Sequence, residues 1–290
     1  MLDFLAIIFP VSDYFSDFTK KESPIFFVAT SLDDKIKQNQ IRLVYSFYKK
    51  FTNLSRGQEV QIFNSLCEKF LDCRDKTTIY QFKILDGVAE DALVESVVFL
   101  EKELNLSKVL INKFLSNEAK LMAVKNFQGD LDFDRYFFDS TDFVVQAIAK
   151  ILNLSFNQTS IFRKLFIAGE VLDFLRKATV QGYFLNKVIP EKTKKLLGWS
   201  FSEEEILLQP ATAEKIFDQF WSRYSTNLDI TPQKITSLET QTKILFLKLS
   251  QLLQELATKI KSDPSSVFRQ KVNLNWHEII KIAYQIEKSA

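Results

Sequence analysis

Conventional catalytic constellations are nearly absent from the chain, although it carries 36 Asp and Glu. The acidic clusters are Asp33-Asp34, Glu90-Asp91, Asp130/Asp132/Asp134 and Glu203-Glu204-Glu205. Only "GDLDFD" has the density of a cation site, and it lacks the further ligands and bidentate glutamate of a calcium loop. Its alternation with Leu131 and Phe133 beside a glycine reads as a helix-to-helix connection. The other clusters read as loop, capping and solvated-face carboxylates. The one histidine, His277, excludes a multi-histidine metal site and disfavours a His-based triad. Cys67 and Cys73 are too few for a zinc site and badly spaced for a disulfide, so they read as buried reduced thiols. No Gly-rich phosphate loop is present. One polar pair stands out instead. In "VLDFLRKATVQGYFLNKVIP" (171–190), Lys177 and Gln181 lie one turn apart on a helix whose Val171, Leu172, Leu175 and Ala178 form an apolar face.

Helices must position these groups. The chain of 290 residues is 46% apolar and 26% charged, with 28 Phe but only 6 Gly and 6 Pro, which leaves little room for hairpins. A helix follows "SLDD", with Ile36, Ile41, Val44, Tyr45 and Tyr48 near helical spacing. Others are predicted at 58–72, 78–103 and 107–127, the last capped by Asn105 or Ser107. "STDFVVQAIAKIL" opens another, capped by Ser140 or Thr141, and 159–178 follows. A loop-rich connection at 191–210 ends in a short helix with Ser202 and Glu205 as a capping box. Helices at 211–225, 233–261 and 275–287 close the chain. No half has its own composition, so residues 1–290 read as one all-α domain with an N-terminal extension at 1–22.

The net charge of +2, with signs interspersed, gives no footprint for nucleic acid. "MLDFLAIIFPVSDYF" lacks a basic n-region and carries Asp3, unlike a signal peptide, and no stretch reaches the length of a membrane span. The expected setting is cytoplasmic, with room for peripheral membrane contact.

Two distant stretches carry a resemblance. "SPIFFVATSLDDKIKQNQIRLVYSFYKK" (23–50) resembles the opening of squalene and phytoene synthases, with Val44-Tyr45-Ser46-Phe47-Tyr48-Lys49 in place of Leu-Tyr-Ala-Phe-Cys-Arg. "LLQELATKIKSDPSSVFRQKVNLNWHEIIKI" (252–282) is similar to the closing segment of that family, with Val267-Phe268, Arg269 and Lys271 in its conserved order. Between them, "DFLRKATVQGYFLNKVIP" keeps the Leu175-Arg176 and Ile189-Pro190 pairs of the second acidic helix, and "KLLGWSFSEEEIL" resembles the segment after it.

The resemblance implies an all-α, single-domain isoprenoid synthase (terpenoid synthase) fold, its helices around a central cavity. In active members two Asp-rich helices hold Mg²⁺ against prenyl diphosphates, since Asp residues four apart share a helix face and hard oxygens suit Mg²⁺. Here the first acidic motif falls on Thr52, Asn53 and Arg56, the second on Lys177 and Gln181, and a middle-helix Asp on Leu121. No catalytic residue and no metal ligand is assigned. The expected function is a non-catalytic isoprenoid- or lipid-binding or assembly module without cofactor. The alternatives are a divergent, active prenyl transferase, which would need Mg²⁺, and a helical protein-interaction domain with a filled cavity. Arg56, Arg176 and Lys177 are candidates for binding an anion such as a prenyl diphosphate or lipid headgroup without metal.

Overall fold

The computed structural model describes residues 12–75, 89–177, 187, 189–196, 210–230 and 232–289. Among these the regular elements are helices: α1 (Ser12–Glu22), α2 (Pro24–Ala29), α3 (Lys35–Arg56), α4 (Val60–Asp75), α5 (Ala89–Glu103), α6 (Lys108–Ala123), α7 (Asp130–Ile151), α8 (Phe156–Arg176), α9 (Glu191–Leu196), α10 (Pro210–Tyr224), α11 (Thr240–Ser262), α12 (Ser266–Arg269) and α13 (Trp276–Ser289). Two 3₁₀ turns, Ser225–Leu228 and Pro232–Ile235, lie between α10 and α11.

α3 runs through the middle. Asp34 caps it by accepting hydrogen bonds from Ile36 N and Lys37 N at 3.0 and 3.1 Å. Because it packs on α1, α4, α5, α6 and α7, nearly all of its second half is buried, polar residues included. α8 packs on α7, α10 and α11. It starts at a reciprocal cap between Ser155 and Gln158, as a Ser-x-x-Gln stretch favours. Gly169 lets α11 approach α8, since a Cβ there would meet Leu253 Cδ1 at 3.1 Å. α3 and α8 thus face each other across the interior, bridged by side chains.

Rings fill much of that interior. Phe26 stacks on Tyr45 at 3.9 Å, Tyr48 meets Phe166 edge-on at 5.8 Å, and Phe114 stacks on Phe143 at 5.8 Å. Phe133, Phe137, Phe174 and Phe220 form a second group on the α7, α8 and α10 side. Such centroid spacings suit offset and edge-to-face ring pairs. Between α2, α8 and α11 two cavities of about 20 and 30 Å³ remain.

Several sequence expectations need correction. "GDLDFD" is the start of α7, not a connection: the Asp132 carboxylate accepts from Gln128 N and Gly129 N, and acidic residues suit a helix N-terminus. Ser140 and Thr141 therefore sit inside α7 and cap nothing, and Thr141 Oγ1 donates back to Phe137 O at 2.7 Å. The helix predicted over 233–261 is a 3₁₀ turn followed by α11. Ile36 is 39% exposed because it lies beyond the part of α3 that is covered. Cys67 and Cys73 are half-buried, and burial, helped by Glu68, pushes the Cys67 thiol up to about 11. Ser107 is the cap of α6. Ser202 and Glu205 lie outside the described residues, as do 76–88 and 197–209.

Candidate functional site

The polar centre of the molecule lies between α3 and α8. The Lys49 ammonium is fully buried and donates to Glu170 Oε2 at 2.6 Å and to Asp173 Oδ2 at 2.8 Å. Tyr48 OH donates to the same Glu170 oxygen at 2.9 Å. Asp173 also pairs with Arg176, three residues on, and with Lys177 at 3.0 Å, four residues on. Lys177 reaches Glu22 of α1 at 3.3 Å, and Asn53 donates to that glutamate at 3.0 Å. Residues 12–22, read from the sequence as an extension, are thus a helix that delivers a carboxylate into the cluster. Arg176 donates further to Glu22 O at 2.9 Å and to Asn273 Oδ1.

A second buried carboxylate belongs to Glu118 of α6. Ser55, Ser140 at 2.5 Å and Tyr136 OH at 3.2 Å all donate to it. Arg56 links the two groups: its Nε donates to Tyr136 OH at 3.3 Å and its Nη2 lies 3.8 Å from Glu170 Oε2.

The electrostatics of the two sites are opposite. Burial pushes Asp173 up, but Arg176, Lys177 and Lys49 outweigh it and hold its carboxyl well below the usual carboxylate range. Burial likewise raises Glu22, and Lys177 with the Asn53 hydrogen bond reverses this to a net lowering. Glu118 goes the other way: burial raises it, and Arg56 and the three hydroxyls offset only part. Lys177 is lowered by burial, with Asp173 opposing and Lys49 and Arg176 adding to the fall. Lys271, at the rim, is lowered by burial and by Arg176 and Lys177.

The sequence-derived positions are placed as follows. Thr52 is fully buried and donates only to Lys49 O. Asn53, Arg56, Arg176 and Lys177 all belong to the cluster just described. Lys177 is the residue that terminates α8. Gln181 lies outside the described residues. Leu121 is buried, and its carbonyl accepts from Lys187 Nζ at 2.6 Å. Several of the other acidic groups have local partners, and Glu203, Glu204 and Glu205 lie outside the described residues. Asp130 and Asp134 pair with Arg223 at 3.2 and 3.0 Å, and Tyr224 OH donates to Asp134. Asp34 is a helix cap, and Asp33 Oδ2 accepts from Gln241. His277 is in the exposed first turn of α13.

Sequence reasoning missed Lys49, Glu170, Asp173, Glu22 and Glu118 as site residues. A signal existed for part of the set. Glu170, Asp173 and Lys177 recur at three- and four-residue spacing inside an apolar helix, which places them on one buried face.

No family model matches the chain, and no curated protein does. Solved structures do match, and two of them align over nearly its whole length. One is the crystal structure of a dehydrosqualene synthase in complex with ligand, 13% identical, with a TM-score of 0.77, covering 99% of this chain and 98% of that one. The fold is that of a dehydrosqualene synthase. The other is the crystal structure of YisP from Bacillus subtilis subsp. subtilis strain 168, 12% identical, with a TM-score of 0.71, covering 97% of this chain and 98% of that one. The resemblance drawn from motif order is therefore matched by the isoprenoid synthase fold over nearly the whole chain.

That fold raises the question of Mg²⁺. A divalent ion needs several unoccupied carboxylate oxygens converging on one point. The nearest oxygens of Glu170 and Asp173 converge instead on the Lys49 ammonium, which is tethered and permanently present. Among the described residues no group of three His, Cys, Asp or Glu side chains is placed to hold a metal. The described side chains do not fit Mg²⁺.

Proposed function

We propose that this protein is a non-catalytic member of the squalene/phytoene synthase type, a helical binding or assembly module that does not ionise prenyl diphosphates. The observation that carries the reading is Lys177, a cation where the second acidic motif would place an acid, paired with Asp173 at 3.0 Å and Glu22 at 3.3 Å. Departure of a diphosphate needs positive charge directed at the leaving group, the largest contribution to such catalysis. Here Lys49, Arg176 and Lys177 direct theirs at Glu22, Glu170 and Asp173. An incoming phosphate would have to displace those carboxylates from a buried site, at the cost of leaving them unpaired.

The ligand surface we assign is on the outside. A cleft of about 310 Å³ lies between the end of α6 and the start of α7, where Leu121, Val124 and Phe127 form an apolar floor under Lys120 and Arg135. That combination suits an anionic amphiphile, with the tail on the floor and the headgroup at the two cations.

The decisive experiment is incubation with farnesyl or geranylgeranyl diphosphate and Mg²⁺, followed by assay of hydrocarbon and released pyrophosphate. The expected result is no product above a protein-free control. Sustained turnover overturns the reading in favour of an active prenyl transferase. Calorimetry with the same diphosphates in EDTA tests the cleft: heat that is lost in Lys120→Ala/Arg135→Ala supports it, and heat unchanged in that variant sends the ligand to Arg56, Arg176 and Lys177 instead.

A further inference from the structure

α13 carries an apolar stripe on its outer side. Trp276, Ile280 and Tyr284 are 40%, 59% and 55% exposed. Spaced four apart, they span roughly 80° of the helix circumference, and Lys288 and Lys281 follow within about the next 60°. Ile279, Ala283 and Ile286, centred roughly 90° round the helix from the stripe, are buried. The helix thus has an inward face of its own beside the exposed stripe.

On α13 itself the unpaired charges are cationic. Both acidic residues of α13 are neutralised from α11: Glu278 by Lys259 at 3.3 Å and Glu287 by Lys248 at 2.5 Å. Lys281 and Lys288 form no ion pair among the described residues, and neither does Lys20, which places its ammonium 5.3 Å from the Trp276 ring centroid. Lys288 lies similarly over Tyr284, at 5.0 Å. Lys21 adds a further exposed cation on α1, against the exposed Asp13 and Asp17 of the same helix. Phe27 of α2 meets Trp276 edge-on at 6.4 Å and extends the apolar ground.

We infer that this face docks onto an anionic lipid membrane, with α13 lying in the plane of the interface. Trp and Tyr are amphipathic rings suited to headgroup level, an aliphatic side chain between them enters the acyl boundary, and unpaired lysines beside them meet anionic headgroups. The Lys20 and Lys288 ammonium groups lie over ring faces on an exposed surface, where such contacts are weak enough to yield to a phosphate. A protein partner or a second copy of the chain would also cover an apolar stripe, but neither requires unpaired cations beside it while every acid of the same helix is neutralised.

Vesicle co-sedimentation of the full chain tests the inference. Wild type is expected to bind equimolar phosphatidylcholine/phosphatidylglycerol vesicles at low salt and pure phosphatidylcholine at least about tenfold more weakly, since each lysine near such a surface is worth about fivefold in affinity. Ile280→Asp should lose about tenfold or more while the circular dichroism and urea midpoint stay at wild type, because the side chain is exposed. Lys281→Gln/Lys288→Gln should lose most of the salt dependence. No binding of wild type to the anionic vesicles overturns the proposal. So does undiminished binding of Ile280→Asp, which would move the contact elsewhere on the chain. A wild-type dimer in analytical ultracentrifugation that Ile280→Asp makes monomeric, without vesicle binding, assigns the stripe to a second copy instead.

Discussion

Two buried carboxylate clusters are served by one helix, α3, and they are neutralised in different ways. Around Glu170 and Asp173 the partners are cations: Lys49, Arg176 and Lys177. Around Glu118 the nearest partners are hydroxyls: Ser55, Ser140 and Tyr136. Asp173 is held low and Glu118 is raised, although both are buried. Burial therefore does not decide the charge state of a carboxylate; the charge of what surrounds it does. The cation-held cluster binds α1, α3 and α8 together through charge. The hydroxyl-held cluster binds α3, α6 and α7 through dipoles, with Arg56 spanning the two.

The sharpest way to break that comparison is to remove the shared cation of the first cluster. Lys49→Ala leaves Glu170 and Asp173 buried with one partner fewer each. It is expected to lower stability by about 3–5 kcal/mol, read from the urea midpoint, as removal of one member of a buried pair does. A loss below about 1 kcal/mol would mean that water replaces the ammonium and that the cluster is not dry.

Asp173→Asn should cost less, about 2–3 kcal/mol at neutral pH, because Glu170 still holds Lys49. Its pH dependence distinguishes it. With a folded-state pKa below the ordinary one, Asp173 contributes stability that is present above the unfolded carboxylate pKa and lost as pH falls through the folded value. The gap between wild type and this variant should therefore stay open at mildly acidic pH and close only in stronger acid. A gap that closes near the ordinary carboxylate pKa would remove the case for a cation-held carboxylate.

Glu118→Gln is the smallest effect and has the opposite sign in pH. A raised folded-state pKa means that charged Glu118 costs stability, a cost that grows as pH rises from the unfolded value through the folded one. The amide keeps an acceptor for the three hydroxyls, so the variant should lie within about 1 kcal/mol of wild type and gain on it with rising pH. Urea titrations at several pH values compare both variants directly, and parallel pH profiles would erase the distinction.

Much of the fold was legible because it is local. Sparse Gly and Pro, helical periodicity, and the Ser107 cap mark most helices within a few residues of where they lie. The failures at Ser140, Thr141 and "GDLDFD" share one cause. Hydroxyls and carboxylates look like caps in sequence, but inside α7 the hydroxyls are taken by Glu118 and a backbone carbonyl, while the true start lies nearly three turns earlier, at the aspartates. At the candidate site, Arg56 and Lys177 were singled out from the places where acidic motifs would fall and Arg176 from the kept pair beside them, and their carboxylate partners were not.

The sequence by itself determined an all-helical chain, the order of its motifs, and the residue types at 52, 53, 56 and 177 where a diphosphate synthase of this type would carry acids. Only the tertiary structure decided what those residues face. Lys49 and Glu170 are 121 positions apart, and Lys177 and Glu22 are 155. No local period encodes such a meeting, and the worth of a charge pair depends on the water excluded around it, which exists only once the helices have packed.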